Sequence, residues 1–170
     1  VSESRGKAVY LAMADTYEAA GDKKGADAVY SKALKKPQYK KSKKVWAAYL
    51  KFLIRSSQAD KAKVQLARAM QSLSPHQHGE VIVGYALTEY DLGSVDRGRV
   101  LFEELLRSYP KRTDIWHTYV DREAKLGHVA QARMLFENMI HSKNTLRNMK
   151  TVFKKYLAFE IAHGDEASQE

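Results

Sequence analysis

Five segments of the sequence align with one another at a period of 34 to 37 residues, which limits the fold more than any other feature. The same position in each segment, here called the anchor, is occupied by Gly21, Ser57, Gly93, Gly127 and Gly164. Large residues recur eleven and eight positions before the anchor and nine positions after it. Such a period is typical of proteins that stack one structural unit many times.

Each unit is predicted to be a pair of antiparallel helices. In the fourth unit Trp116, Tyr119 and Val120 recur at helical spacing, and Gly127 suits the left-handed residue that ends a helix. A second helix then begins within about two residues, which makes the two helices neighbours. Five positions after the anchor, a small residue lets the second helix approach closely: Ala26, Ala62, Gly98 and Ala132.

One pair cannot bury its apolar face alone, so successive pairs are expected to stack. The sequence predicts an all-α fold, a right-handed α-α superhelix (solenoid) of about four and a half repeats. Residues 1–170 are expected to form a single repeat domain, with units at 7–36, 43–73, 79–109, 113–142 and an incomplete 146–170. We expect a fragment of a longer protein, or a partner that covers the last apolar flank, with Phe153, Tyr156, Leu157 and Phe159.

The pattern Trp-x2-Tyr-x3-Glu, followed by Ala-Arg-x2-Phe-Glu, resembles the half-a-TPR (HAT) repeat, a relative of the tetratricopeptide repeat (TPR). Matching positions are Trp46, Tyr49, Tyr85, Glu89, Arg99, Phe102, Trp116, Tyr119, Glu123, Ala132, Arg133, Phe136, Phe153, Tyr156 and Glu160. The resemblance implies structural roles for them, and we expect Arg99 and Arg133 to pair with first-helix carboxylates such as Glu89 and Glu123. The first two units depart from the pattern, with Tyr17 and Leu53 in place of its glutamate.

The stretch from Tyr109 to Trp116 and the helix from Met149 to Glu160 resemble the C-terminal HAT/TPR-like repeat domain of the ribosomal RNA processing protein five family. The resemblance implies a non-enzymatic nucleolar scaffold that supports pre-rRNA processing and small-subunit pre-ribosome assembly. It implies pre-ribosomal proteins, and pre-rRNA or small nucleolar RNA, as partners. Two alternatives stay open: a module of a pre-mRNA splicing or 3′-end processing factor, marked by homodimerisation, and a general TPR-like peptide-binding adaptor.

Basic residues gather at three of the joins between units, and the net charge is +9. The first basic cluster is Lys35, Lys36, Lys40, Lys41, Lys43 and Lys44; the second is Arg107, Lys111 and Arg112; the third is Lys143, Arg147, Lys150, Lys154 and Lys155. On one edge of a solenoid they would form a basic stripe that binds RNA phosphates or another polyanion. Lysine predominates, which favours point-charge attraction over base reading. For Tyr39, inside the first cluster, a packed or simply exposed ring is favoured over stacking on a base.

Other chemistry finds little support in the sequence. The chain has no cysteine, no phosphate-cradling glycine loop and no nucleophile spaced with a base, so we expect no enzyme, cofactor or small-molecule substrate. His76 and His78 have a spacing compatible with a metal, but no third ligand is evident, so no metal site is expected. No apolar run approaches the length of a membrane span, so no membrane partner is expected.

Overall fold

A computed structural model describes residues 3–142 and 146–164, with side chains for 5–142 and 149–164. The described residues are almost wholly helical and contain no strand. The helices are α1 (Glu3–Ala19), α2 (Lys23–Leu34), α3 (Pro37–Lys40), α4 (Lys43–Arg55), α5 (Ala59–Ser72), α6 (Pro75–Leu92), α7 (Val95–Ser108), α8 (Thr113–Lys125), α9 (Val129–His141) and α10 (Leu146–His163). The prediction of an all-α repeat fold is confirmed.

The chain forms two compact units, Val1–Leu101 and Phe102–Glu170. The first contains α1 to α6 and the first half of α7, and the second contains the rest of α7 with α8 to α10. The expectation of one repeat domain over the whole chain stays a prediction.

Turns of two or three residues join the helices of each pair, as the repeat predicts. Gly21 and Gly127 take the left-handed conformation there, with φ of 75° and 74°, and Ser57 takes it with φ of 62°. Gly93 differs, because its φ is −123°. A Cβ at that position would collide with the Glu89 carboxylate, so close approach rather than handedness requires glycine here.

The small residue five positions after the anchor is buried in each pair, which confirms its predicted role in close approach. Gly98 shows how tight the contact is. A Cβ there would lie 2.6 Å from Cε2 of Tyr90 and 3.1 Å from the carbonyl oxygen of Ala86. The second helix therefore lies against the first with no room for a larger residue.

Stacked aromatic rings connect successive pairs. The residue nine positions after one anchor stacks on the residue eight positions before the next anchor. Ring centroids are 5.1 Å apart for Tyr30 and Tyr49, 4.9 Å for Phe102 and Tyr119, and 4.8 Å for Phe136 and Tyr156. Each such stack contributes about 0.5–1.5 kcal/mol beyond the area that it buries. These stacks therefore help to hold one repeat on the next at three joins, whereas Leu66 occupies the position at the join between the second and third repeats.

Candidate nucleic-acid interface

A tryptophan fixes the turn that carries the first basic cluster. Trp46 is buried in α4, and its Nε1–H donates to the carbonyl oxygen of Lys40 at 2.8 Å. Trp116 in α8 repeats the contact, since its Nε1–H donates to the carbonyl oxygen of Pro110 at 3.0 Å. In both cases the acceptor lies six residues before the ring. The basic turns are therefore anchored at defined positions on the helices that follow them.

Four lysines of the first basic cluster present exposed side chains around α3 and the start of α4: Lys35, Lys40, Lys41 and Lys44. Lys43 has a different role, because its Nζ lies 2.6 Å from an Oε of Glu80 on α6. Four positive charges within ten residues create a local field that attracts polyanions. This arrangement can bind phosphates without reading bases.

Lys36 and Tyr39 belong to the packing of the first unit. Tyr39 is buried and meets Tyr10 edge to face, with ring centroids 5.6 Å apart. The Lys36 ammonium lies 4.9 Å from the Tyr10 ring centroid, and a hydrogen bond with Tyr10 raises the pKa of Lys36. Tyr39 therefore packs, as the sequence favoured, and the alternative of stacking on a base is wrong.

The second basic cluster is partly neutralised within the second unit. Arg112 donates from Nε and Nη2 to the two carboxylate oxygens of Asp114, at 2.8 and 2.7 Å. These hydrogen bonds hold the pKa of Asp114 below its ordinary value. Arg107 and Lys111 are exposed. The cluster therefore offers less positive charge than the sequence suggests.

The third basic cluster is described only in part. Lys143 lies outside the described residues, and the Arg147 side chain is not among the described ones. Lys150 and Lys154 are exposed on α10, whereas the Lys155 ammonium lies 2.7 Å from an Oδ of Asp121 on α8. Whether the three clusters form one stripe stays a prediction, because the first belongs to one unit and the others to the second.

Carboxylates four positions before the anchor are buried and bound by cations. Glu89 accepts from Arg97 at 2.9 Å and from the Ser94 N–H at 3.1 Å. Glu160 accepts from Nε and Nη2 of Arg133 at 2.7 and 2.9 Å. A buried carboxylate needs such partners to offset its desolvation. These groups hold helices together, in agreement with the structural role that the HAT resemblance implies.

Arginines at three positions contact carboxylates in the described residues. Arg97, two residues before Arg99, binds Glu89, and Arg99 contacts Asp96 at 3.2 Å. Arg133 contacts Glu160 on the first helix of the following pair, while an Oε of Glu123 lies 2.6 Å from Nδ1 of His128. Arg133 therefore pairs with a first-helix carboxylate, as predicted, and the pairing of Arg99 with such a carboxylate stays a prediction.

The other periodic positions are mostly core. Trp46, Tyr49, Tyr85, Phe102, Tyr119, Ala132 and Phe136 are buried, and Trp116 and Tyr156 are half-buried. Phe153 departs from this rule because its side chain is exposed. Phe159 does not belong to the exposed apolar flank that was predicted for α10. It is buried, and its ring centroid lies 5.4 Å from that of Phe136.

The His78 side chain contacts the C-terminal end of α5. Its Nε2 lies 3.0 Å from the carbonyl oxygen of Leu73, just after α5, whereas His76 is exposed. Across residues 5–142 and 149–164, no group of three His, Asp or Glu side chains could hold a metal ion. No helix of the described chain is long and apolar enough to cross a membrane.

The sequence did not predict the tryptophan contacts or the burial of Glu89 and Glu160. The sequence does contain a signal for the tryptophan contacts. Trp46 and Trp116 occupy the same position of the repeat, and each follows a basic cluster by a few residues. The indole Nε1–H is a donor that needs an acceptor when the ring is buried.

Comparisons with known proteins give matches that extend over nearly the whole chain. The family described as Suppressor of forked protein (Suf) matches residues 3–169. The chain is 39% identical over 158 residues to Protein RRP5 homolog of Mus musculus and 38% identical over 160 residues to rRNA biogenesis protein RRP5 of Arabidopsis thaliana. These alignments cover 93% and 94% of this chain but 8% of each relative.

A splicing factor is also similar. Pre-mRNA-splicing factor cwf4 of Schizosaccharomyces pombe is 32% identical over 135 residues, which is 78% of this chain and 19% of that protein. The chain therefore spans only a small part of the relatives that it matches.

Proposed function

Because this chain belongs to the Suppressor of forked protein (Suf) family, we propose that it is a non-catalytic repeat scaffold that acts in ribosome biogenesis in the nucleolus. The observation that carries the proposal is its similarity to RRP5 proteins across nearly its whole length, at 38–39% identity. Similarity to the splicing factor is lower and covers less of the chain. The RRP5 relative from Arabidopsis thaliana is named for rRNA biogenesis.

The mechanism that we propose is rigid display. Stacked rings and buried ion pairs hold the repeats of each unit, and the first basic cluster projects from a turn anchored by Trp46. Such a scaffold holds a pre-ribosomal protein and a segment of pre-rRNA in a fixed relation. RNA contact then rests on phosphate attraction to Lys35, Lys40, Lys41 and Lys44.

RNA binding across a salt series tests the basic cluster. The variant carries Lys40→Glu, Lys41→Glu and Lys44→Glu, and leaves Lys43 in place because its change would set two carboxylates against each other at Glu80. If these lysines contact three phosphates of single-stranded RNA, the slope of log K against log salt flattens by about 2 in the variant. Fluorescence anisotropy with a labelled pre-rRNA segment measures both slopes.

A charge-matched control separates local contact from net charge. Lys24→Glu, Lys51→Glu and Lys63→Glu change three other exposed lysines of the same unit and alter the net charge equally. We expect this control to bind RNA more weakly by a small, uniform factor and to keep the steep slope. Equal losses of RNA affinity in the two variants would show that the first basic cluster is not a specific contact surface.

A role in pre-mRNA splicing is the second candidate, and the similarity to cwf4 favours it. In that case we expect the chain to form homodimers through its repeats. Sedimentation equilibrium decides between the two: a monomer that binds pre-rRNA agrees with the proposed function, whereas a stable dimer without RNA affinity favours the splicing role.

A further inference from the structure

Residues of α7, α8 and α9 in the second unit line a groove of about 300 Å³, here called the α7–α9 groove. Its floor is apolar, because Leu106, Tyr119 and Leu135 line it and are at most 5% exposed. Polar side chains from α7 and α9 stand at its rim. A groove with an apolar floor and a few polar groups at its edge is the usual form of a binding site for a flat ring.

Two large side chains of the groove are open to solvent. Met134 on α9 is 42% exposed, and Trp116 on α8 is half-buried. Trp46 has the same position in the second repeat and is only 1% exposed, so the repeat itself does not require an open indole. An indole and a thioether are both surfaces against which another aromatic ring can lie.

The stacking of repeats leaves the Met134 side of the groove open. Val64 in α5 and Val100 in α7 occupy the position of Met134, seven residues after the anchor. They are 60% and 52% exposed, although another helix pair follows each of them in the chain. The next pair of a repeat array therefore does not cover this position, and the groove is accessible to another molecule.

The indole connects the groove to the second basic cluster. Nε1–H of Trp116 donates to the carbonyl oxygen of Pro110 at 3.0 Å, so the turn that carries Lys111 begins beside the ring. Arg107 lines the groove itself, and both Arg107 and Lys111 are exposed. Cations beside an aromatic side chain are how proteins hold single-stranded RNA, because the cations attract phosphates and the ring stacks on a base.

Two polar side chains at the rim match one edge of a base. Asn138 on α9 is exposed, and its amide both donates and accepts, whereas the carboxylate of Glu103 on α7 only accepts. Adenine and cytosine present an amino group, which donates, next to a ring nitrogen, which accepts. Uracil presents a carbonyl oxygen in place of the amino group, and a carboxylate repels it. The rim therefore favours adenine or cytosine.

We propose that the α7–α9 groove binds one unpaired base of single-stranded RNA, adenine or cytosine, while Arg107 and Lys111 bind the neighbouring phosphates. The base stacks against Trp116, and Asn138 and Glu103 bind its edge. This inference rests on the RNA contact of the proposed function and assigns to the second unit the base reading that the first basic cluster lacks. Double-stranded RNA is excluded, because its paired bases cannot enter a groove.

The test compares two labelled oligonucleotides of about ten residues by fluorescence anisotropy with the intact chain. One is oligoadenylate, and the other is an abasic chain with the same phosphates. We expect oligoadenylate to bind about tenfold more tightly. Met134→Asp should reduce this ratio to about twofold or less, because a base would then have to desolvate a charge. Val64→Asp is the matched control and should keep the ratio, since it adds the same charge at the same position of α5.

Base identity tests the rim. Oligocytidylate should bind about as tightly as oligoadenylate, and oligouridylate about fivefold more weakly. Asn138→Leu should remove most of this preference and leave binding of the abasic chain unchanged, because the net charge is the same. Gln71→Leu, at an exposed position of α5, is the control that should keep the preference. Circular dichroism confirms that each variant is folded.

The outcomes separate this inference from the proposed function. Equal binding of oligoadenylate and the abasic chain, an unchanged ratio in Met134→Asp, or equal binding of oligouridylate overturns the inference, and a protein segment then becomes the occupant to test. The salt dependence of binding is measured with the same oligonucleotides in the variant of the first basic cluster. If that variant flattens the slope while no base preference exists, the inference fails and the proposed RNA contact stands. If no oligonucleotide binds, both fail.

Discussion

Replacing Gly98 with alanine should destabilise the protein, although alanine occupies the same register position in three other repeats, at Ala26, Ala62 and Ala132. In the third repeat the ring of Tyr90 lies over Gly98, and a Cβ would be 2.6 Å from its Cε2 and 3.1 Å from the Ala86 carbonyl oxygen. Both groups are buried and cannot move aside freely.

The magnitude follows from two opposing effects. Alanine favours the helix over glycine by about 1 kcal/mol, whereas forcing a methyl group into a packed contact costs about 1–3 kcal/mol. We therefore expect a net loss of about 1 kcal/mol in the free energy of unfolding. Gly84→Ala is the control, because Gly84 lies in α6 with no neighbour within 4 Å of the added Cβ. It should stabilise the protein by about 0.5–1 kcal/mol.

Urea denaturation followed by circular dichroism measures both variants. Adding Tyr90→Ile to Gly98→Ala should recover stability, because Ile54 occupies that register position beside Ala62 in the second repeat. If Gly98→Ala stabilises the protein as much as Gly84→Ala does, then close approach is not what requires glycine at this position.

Two other changes probe the polar contacts. Arg97→Ala should lower the free energy of unfolding by about 1–2 kcal/mol, as measured by urea denaturation. The loss is smaller than for a fully buried pair because Arg97 is 51% exposed, although its partner Glu89 is fully buried. Adding Glu89→Gln should recover part of that loss, and no recovery would contradict the buried charge as its cause. Burial, and then Lys155, lower the pKa of His117 in the folded state, so the unfolded state binds the proton more readily. Stability should therefore fall as the pH drops through about 6.5 and be unaffected above it, and His117→Gln should flatten this dependence in a urea titration at several pH values.

The repeat made most of the fold predictable, because its period fixes which residues face the core. The small residues at Ala26 and Ala132 and the stacked rings at Phe102 and Tyr119 follow directly from it. Contacts between successive repeats were harder to predict. Arg133 reaches Glu160 on the next first helix, and a pattern defined within one unit holds no information about that distance.

The basic clusters also show that contacts between residues distant in sequence are hard to predict from sequence position. Lys40, at the end of α3, and Lys44, near the start of α4, are exposed at the join between the first two pairs. Sequence position did not reveal that Lys43 pairs with Glu80, or that Arg112 pairs with Asp114, since neighbours in space decide how much charge remains available. Tyr39 was recognisable as an aromatic residue in a basic segment, but only its packing against Tyr10 shows that a base cannot reach its face.

The two tryptophans that anchor the basic turns also provide a spectroscopic probe of each compact unit. Trp46 lies in the first unit and Trp116 in the second, and the chain contains no other tryptophan. Unfolding of either unit breaks the hydrogen bond from the indole to its turn and exposes the ring to water. Single-tryptophan variants of this chain would therefore report by fluorescence, without any added label, whether the two halves unfold together or one after the other.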